Sequence, residues 1–569
     1  MNADHDLVIR NGHIVDGSGK PGFEGDVAVK DGRIAAVGRV NGRGAEEMDA
    51  KGLLVTPGFV DVHTHYDGQA TWDQRLQPSS WHGVTTVIAG NCGVGFAPCR
   101  PQDQDRLIRL MEGVEDLPFP VLKQGLPWNW QSFPEYLDSI SGRAFDMDIG
   151  LQLPHAALRV FVMGERGANR EAATPDDIAQ MAALAQAAMD AGAMGFSTSR
   201  TLNHRTSDGQ PTPTLNAAED ELMGIALALG RAGNGAGRGV LQFVSDFANP
   251  DAEFAMLRRL CEASGRPLSF SLAQSPAAPM GWRRLLDLLE QAVAAGLPMK
   301  AQVAARPVGV LLGLDLTLNP FSLHPDWPKA ASLEEQRRSL ADPAFVARLI
   351  ANPPPAGHAL GTALLHRWGD MYQLGDPPNY EPLPQTSLAA QAMQRGVPFQ
   401  AVAAQWLLHG MIYVPFLNFA DGDLDAVGAM LAHPDTIPGL SDGGAHVGMI
   451  CDGSFPTSLL THWARDRSHG RLPLEHLIQR QARDTARAVG LADRGCIAPG
   501  QRADINLIDL DRLTLLPPEV AHDLPAGGRS LLQRARGIRA TLVAGAVTYR
   551  DGEATGALPG RLLRGATRG

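Results

Sequence analysis

The chain has 569 residues, 44% of them hydrophobic and 20% charged, with 62 glycines and 41 prolines. That composition excludes a disordered or fibrous chain and provides a large core inside a loop-rich globular protein. The formal net charge is −11 with the basic residues scattered, which argues against nucleic acid or an anionic membrane as partner and for a small molecule.

In chain order, residues 1–6 carry charge and no apolar leader core, and no later window holds the roughly 18 unbroken apolar residues of a membrane span. The expectation is a cytoplasmic protein, with homo-oligomerisation left open. Short strands follow at 7–10, 25–30 and 33–38, separated by turns at Asp16-Gly17-Ser18-Gly19 and Asp31-Gly32. The same texture returns at 503–508 and 540–545, with a turn at Asp551-Gly552. The two ends, 1–57 and 486–569, are therefore expected to complete one small β-sandwich.

Between them, residues 58–485 alternate strand-like and helical runs, as a parallel β/α fold requires. Strands are predicted at 59–65, 85–90, 148–153, 195–199, 239–245, 267–272, 299–303 and 439–442, which is the number that closes a (β/α)8 TIM-type barrel. The clearest helix start is Thr174-Pro175-Asp176-Asp177, an N-cap, a proline at the first helical position and acids in the first turn, ahead of an alanine-rich run ending at Gly192. Residues 306–384 break the rhythm with many prolines, including Pro353-Pro354-Pro355, and with Phe321, Trp327, Trp368 and Tyr372. An irregular insertion at the end of a barrel strand is expected to form a lid.

The first barrel run, Thr56-Pro57-Gly58-Phe59-Val60-Asp61-Val62-His63-Thr64-His65, ends on two histidines one residue apart. Residues i and i+2 of a strand share a face, so both imidazoles can converge on one metal ion. The second run ends Gly90-Asn91-Cys92-Gly93, placing a thiolate donor at the same end of the barrel. The last ends Ser441-Asp442-Gly443, whose carboxylate can bind a metal and act as general base. The five cysteines, Cys92, Cys99, Cys261, Cys451 and Cys496, are odd in number and include no Cys-x-x-Cys pair, which argues against a disulfide framework. Further polar groups near strand ends are substrate-binding candidates: His155, His204 and His446, the guanidinium forks of Arg200 and Arg205, and Gln242, Asp246 and Gln274.

Together with Gly195-Phe196-Ser197-Thr198-Ser199 and Ile497-Ala498-Pro499-Gly500-Gln501-Arg502-Ala503-Asp504, these motifs resemble the amidohydrolase superfamily, and within it the N-acyl-D-amino-acid deacylase group. The resemblance covers nearly the whole chain. It implies metal-dependent hydrolysis of a C–N amide bond, most plainly of an N-acyl-amino acid, with zinc as cofactor. It carries over His63, His65, Cys92 and Asp442 as metal ligands and Asp442 as catalytic acid/base. That family supplies further ligands as histidines after its fifth and sixth strands, and the matching stretches here, 239–246 and 267–274, contain none. A single ion is the resulting expectation. A cyclic-amide, lactam or xenobiotic amide hydrolase, or a non-catalytic scaffold of the same fold, are the alternatives.

Overall fold

The computed structural model describes residues 3–352, 365 and 367–565, so Pro353, Pro354 and Pro355 lie outside the described residues. Eight barrel strands form one parallel sheet, seven of them overlapping the predicted runs. They are Phe59–Asp61, Val84–Ala89, Asp148–Pro154, Gly195–Arg200, Val240–Ser245, Leu268–Ser271, Met299–Val303 and Thr436–Pro438, named here the first to eighth barrel strands. Their residues are almost entirely buried, with Val84–Ala89 buried throughout, as expected of parallel strands covered on both faces. The eighth strand starts three residues before its predicted position, and the chain then runs on through Gly439–Asp442 to close the barrel. Closure is made by Asp442 N–H donating to His63 O at 3.2 Å and His65 N–H donating to Gly443 O at 2.8 Å.

The helix after the third barrel strand begins as its sequence predicts. Pro175–Ala191 is opened by a capping box between Thr174 and Asp177, and Gly192 closes it in the left-handed conformation at φ 108°.

The two chain ends meet in one nine-stranded sheet. Ile505–Ile508 pairs antiparallel with Leu54–Pro57 on one side and with Ile538–Val543 on the other. A shared apolar core, including Leu7, Ile9, Val27, Val55, Ile505 and Leu542, lies beneath it. Buried charges tie this unit to the barrel: Asp148, first residue of the third strand, accepts from Arg494 at 2.7 Å and from Arg502 at 3.1 Å.

The insertion after the seventh strand extends past the predicted limit at residue 384. Its three-stranded sheet consists of Val308–Leu312, Tyr372–Gln373 and Ile412–Leu417, and the last is the central strand. The segment 306–384 therefore cannot complete its own hydrogen bonding without residues 412–417. Helices Leu333–Ala341, Leu388–Arg395 and Phe399–His409 pack on it around Leu312, Phe321, Trp327, Val402 and Trp406. Among the described residues no helix is long and apolar enough to cross a membrane, and no cysteine is disulfide-bonded.

Candidate metal centre

The site begins where the first barrel strand bends. His63 N–H donates to Asp61 Oδ1 at 3.1 Å, and Thr64 N–H continues the ladder to Ile88 O of the second strand at 3.1 Å. Thr64 faces away, so His63 and His65 share the inner side with ring centroids 5.6 Å apart. The Asp61 carboxylate also accepts from Ser441 Oγ, tying the first strand to the adjacent end of the eighth. Burial pushes the Asp61 carboxyl up to about 7.

Cys92 arrives on the loop after the second strand. Gly93, at φ +68°, leaves no room for a side chain, since a Cβ would lie 2.9 Å from Thr198 Cα. The close approach lets Gly93 N–H reach Ser197 Oγ at 3.0 Å. Cys92 itself has φ +56° and Asp442 φ +48°, left-handed conformations that cost on the order of 1 kcal/mol each in a non-glycine residue. The strain aims both side chains at the histidines. His63 Nε2 lies 3.2 Å from Cys92 Sγ and 3.3 Å from Asp442 Oδ1, and His65 Nε2 lies 3.5 Å from the same oxygen.

Two imidazoles, a thiol and a carboxylate thus converge in a buried cluster, and the ligand atoms of His63, His65 and Cys92 lie within 4.8 Å of one another. His65 Nε2 and Asp442 Oδ1 are buried and meet no hydrogen-bond partner among the described residues. Polar atoms left so are costly unless something else satisfies them, and this donor set suits a divalent ion such as zinc.

The electrostatics sort the groups. Burial raises the Asp442 carboxyl, but contacts with His65 and His63 outweigh it and hold Asp442 well below the ordinary carboxylate range. Burial lowers His63 to about 4 despite Asp442. His65 faces the same burial, yet the Glu115 carboxylate turns it well above the usual imidazole range. Burial pushes the Cys92 thiol up to about 12, so the thiolate needs a cation to form at neutral pH.

The structure sorts the remaining predicted residues unevenly. His446 stands at the site, with Nε2 3.4 Å from Glu115 Oε2. His204 accompanies it: Nδ1 is held by Ser199 Oγ at 2.8 Å, and burial together with the nearby charges of His65 and His446 lowers it to about 3. Gln242 reaches the cysteine loop, where its Oε1 accepts from Cys92 N–H at 3.3 Å and its buried Nε2 has no partner among the described residues. Only an oxygen can accept there, so the amide's orientation is determined.

Gln274 is taken up by the insertion, donating to Asp421 at 2.7 Å and accepting from Ala420 N–H at 3.1 Å; it is not free for a metal or a substrate. His155 is likewise spent, its ring nitrogens paired with Thr198 and Glu221 at 2.8 Å each. The Arg200 fork grips Glu253, with both bonds at 3.2 Å. Arg205 donates to Leu202 O and Gly209 O at 3.1 Å, and Asp246 accepts from Thr201 Oγ1 and Leu202 N–H. These last three therefore shape the loop after the fourth strand, and Arg200 and Arg205 do not present free forks.

Two residues of the site escaped sequence reasoning. Gln302, on the seventh strand, places Oε1 2.7 Å from His63 Nδ1. Glu115 ends the helix Gln104–Glu115, is 1% exposed, and puts Oε1 3.4 Å from His65 Nδ1. The available signal was the acid pair Glu115-Asp116 at a helix C-terminus, where the dipole disfavours anions. A cavity of about 40 Å³ opens beside Asp442, lined by Gln69, Asp73, Asp452, Asp523 and Leu531 among others, with no lysine or arginine among the described lining residues.

The chain is similar to D-aminoacylase of Alcaligenes xylosoxydans xylosoxydans, with 27% identity over 98% of this chain and 97% of that protein. A crystal structure of D-aminoacylase superposes with a TM-score of 0.65 at 23% identity, covering 98% of this chain and 100% of that one. The structure of N-acyl-D-glutamate deacylase from Bordetella bronchiseptica, complexed with zinc and a phosphonate inhibitor, gives a TM-score of 0.65 at 23% identity, covering 98% and 99%. The model of the amidohydrolase family matches residues 46–549, and with this barrel and its strand-end donors the chain belongs to the amidohydrolase family, hydrolases of carbon–nitrogen bonds other than peptide bonds.

Proposed function

We propose that this protein hydrolyses N-acyl-amino acids with one divalent cation, zinc, held by His63, His65, Cys92 and Asp442. The observation that carries the reading is the convergence of the buried His63, His65 and Cys92 with the half-buried Asp442, whose Oδ1, like His65 Nε2, has no hydrogen-bond partner among the described residues. The substrate class follows the D-aminoacylase and N-acyl-D-glutamate deacylase to which the chain is similar, and the latter's zinc agrees with the donor set. A single ion fits the strand ends: Gln274 is committed to the insertion, and Gln242 turns a donor, not a ligand atom, toward the site.

When bound, the cation supplies Lewis acidity toward water and toward the substrate carbonyl. Asp442, kept anionic by His63 and His65, takes a proton from the attacking water and returns it to the leaving nitrogen. Gln242 Nε2 offers a fixed N–H to a substrate oxygen. His63 is held ring-on by Gln302, so its Nε2 stays turned toward Cys92 and Asp442.

A second reading, a hydrolase of cyclic or otherwise neutral amides, is favoured by one observation. The fork of Arg200 is occupied by Glu253 and that of Arg205 by Leu202 O and Gly209 O, so neither guanidinium expected from the sequence is free to receive a substrate carboxylate. The test is elemental analysis of the purified chain followed by turnover of N-acyl-D-amino acids, their L enantiomers and cyclic amides. About one zinc per chain and cleavage of N-acyl-amino acids supports the proposal. Cleavage confined to cyclic amides selects the second reading, and a chain that takes up no divalent metal refutes both.

A further inference from the structure

Glu115 is a buried carboxyl group that the catalytic reading does not use. It is 1% exposed, sits at the C-terminal end of its helix, and pairs with no arginine or lysine among the described residues. Both desolvation and the helix dipole oppose an anion there. What surrounds it is a pair of imidazoles from the two adjacent strand ends that close the barrel. Oε1 stands 3.4 Å from Nδ1 of His65, beyond the first strand, and Oε2 stands 3.4 Å from Nε2 of His446, beyond the eighth. His65 Nδ1 and Glu115 Oε1 are buried, face each other at 3.4 Å and have no hydrogen-bond partner among the described residues.

The backbone around Glu115 reinforces this placement. His446 N–H donates to Glu115 O. The next residue, Asp116, turns left-handed at φ +51°, and its carboxylate accepts from Gly448 N–H at 3.1 Å and from Thr317 Oγ1 at 3.1 Å. One helix end thus grips the loop that carries both Asp442 and His446, and a residue of the insertion as well. His63 is oriented differently, by the neutral amide of Gln302.

We propose that Glu115 is a positioning residue of the metal centre, taking the Nδ1–H of His65 on one carboxylate oxygen and a ring N–H of His446 on the other. This fixes the His65 tautomer with Nε2 turned toward Cys92 and Asp442, and ties the helix end to both strand ends at the barrel's closure. The arrangement follows the general use of a carboxylate behind a metal-bound imidazole, which raises ligand basicity and locks ring orientation. Glu115 touches neither substrate nor cation and acts only through the two histidines.

The inference rests on the metal-centre reading, and the experiment separates the two. Full-length chain is stripped with a chelator and titrated with Co²⁺, following visible absorption and competition with the chelator, for the wild type, Glu115→Gln and Glu115→Ala. Urea midpoints are recorded alongside. Glu115→Gln keeps the shape and loses the charge, so about tenfold weaker Co²⁺ binding is expected, with 10- to 100-fold for Glu115→Ala, and an altered Co²⁺ spectrum at saturation in both. If the wild type binds Co²⁺ and Glu115→Gln binds within twofold of it with an unchanged spectrum, Glu115 is only structural, whatever its urea midpoint, and the proposal is overturned alone. A wild type that binds no Co²⁺ overturns the metal centre and this proposal together.

Discussion

Asp148 joins the barrel to the sheet made by the chain ends, and removing its carboxylate gives a calculable penalty. The carboxylate is fully buried and accepts three bonds: Arg494 Nη1 at 2.7 Å, Arg502 Nη2 at 3.1 Å and the Arg561 N–H at 3.0 Å. Guanidinium bonds to an anion contribute about 1.5–3 kcal/mol each and the backbone bond about 1 kcal/mol. Asp148→Ala removes all three, but part returns because Arg494 keeps Thr86 Oγ1 at 2.8 Å and Arg502 keeps Asp504 at 3.1 Å. The expected net loss is about 4 kcal/mol, inside the range for deleting one partner of a buried ion pair. Asp148→Asn retains an acceptor and should lose about half as much. Urea unfolding followed by near-ultraviolet circular dichroism reads this as a lowered midpoint at unchanged slope. Asp148 begins its strand, at the end of the barrel opposite the ligands, so the folded variant should bind metal like the wild type. A loss below about 1 kcal/mol for the alanine variant would refute the reasoning, because two buried guanidinium groups would then be satisfied without their hub.

Asp442→Asn should keep most of its metal, since His63, His65 and Cys92 remain, and lose about 10²- to 10⁴-fold in kcat, checked by elemental analysis beside steady-state kinetics. Cys92→Ala removes the sulfur donor and should purify with little or no metal, which the same analysis reads directly. In Gly448→Ala a Cβ would stand 2.0 Å from Thr317 Oγ1 and 3.0 Å from Asp116 Oδ2; a cost of about 1–3 kcal/mol and a lower kcat are expected from the displaced loop. Burial acts to raise the Glu381 pKa, but hydrogen bonds from His462 and Arg467 bring it down to about 2. Its stabilisation is therefore complete above the unfolded-state carboxylate pKa and is lost as pH falls toward 2. Urea midpoints measured between pH 5 and pH 2.5 should fall more steeply in the wild type than in Glu381→Gln, and parallel curves would contradict the assignment.

The local code of this chain is explicit where its meaning is short-range. Alternating strand and helix patterns marked seven of the eight barrel strands and placed the eighth three residues late, because a buried parallel strand must be apolar over its whole length and its ends need turn residues. His63 and His65 were visible as a pair because the strand's period of two places them together, and Cys92 and Asp442 because each follows a strand whose C-terminal end points to the same mouth. The capping box at Thr174 needed only its own first turn.

The pairings between distant residues were decided by the tertiary structure alone. Gln302 meets His63 across 239 positions, and the fork of Arg200 is taken by Glu253, 53 residues on. His155 is paired with Glu221 at a separation of 66. Nothing local distinguishes a free guanidinium or imidazole from a paired one, since the partner is chosen by how helices and loops pack. The sequence by itself determined the barrel, its closing sheet and the four donors at the strand ends, all consequences of periodicity and chain order. Which polar groups face the site, and that Glu115 does, came only from packing, because burial and pairing are properties of neighbours in space that no stretch of chain contains.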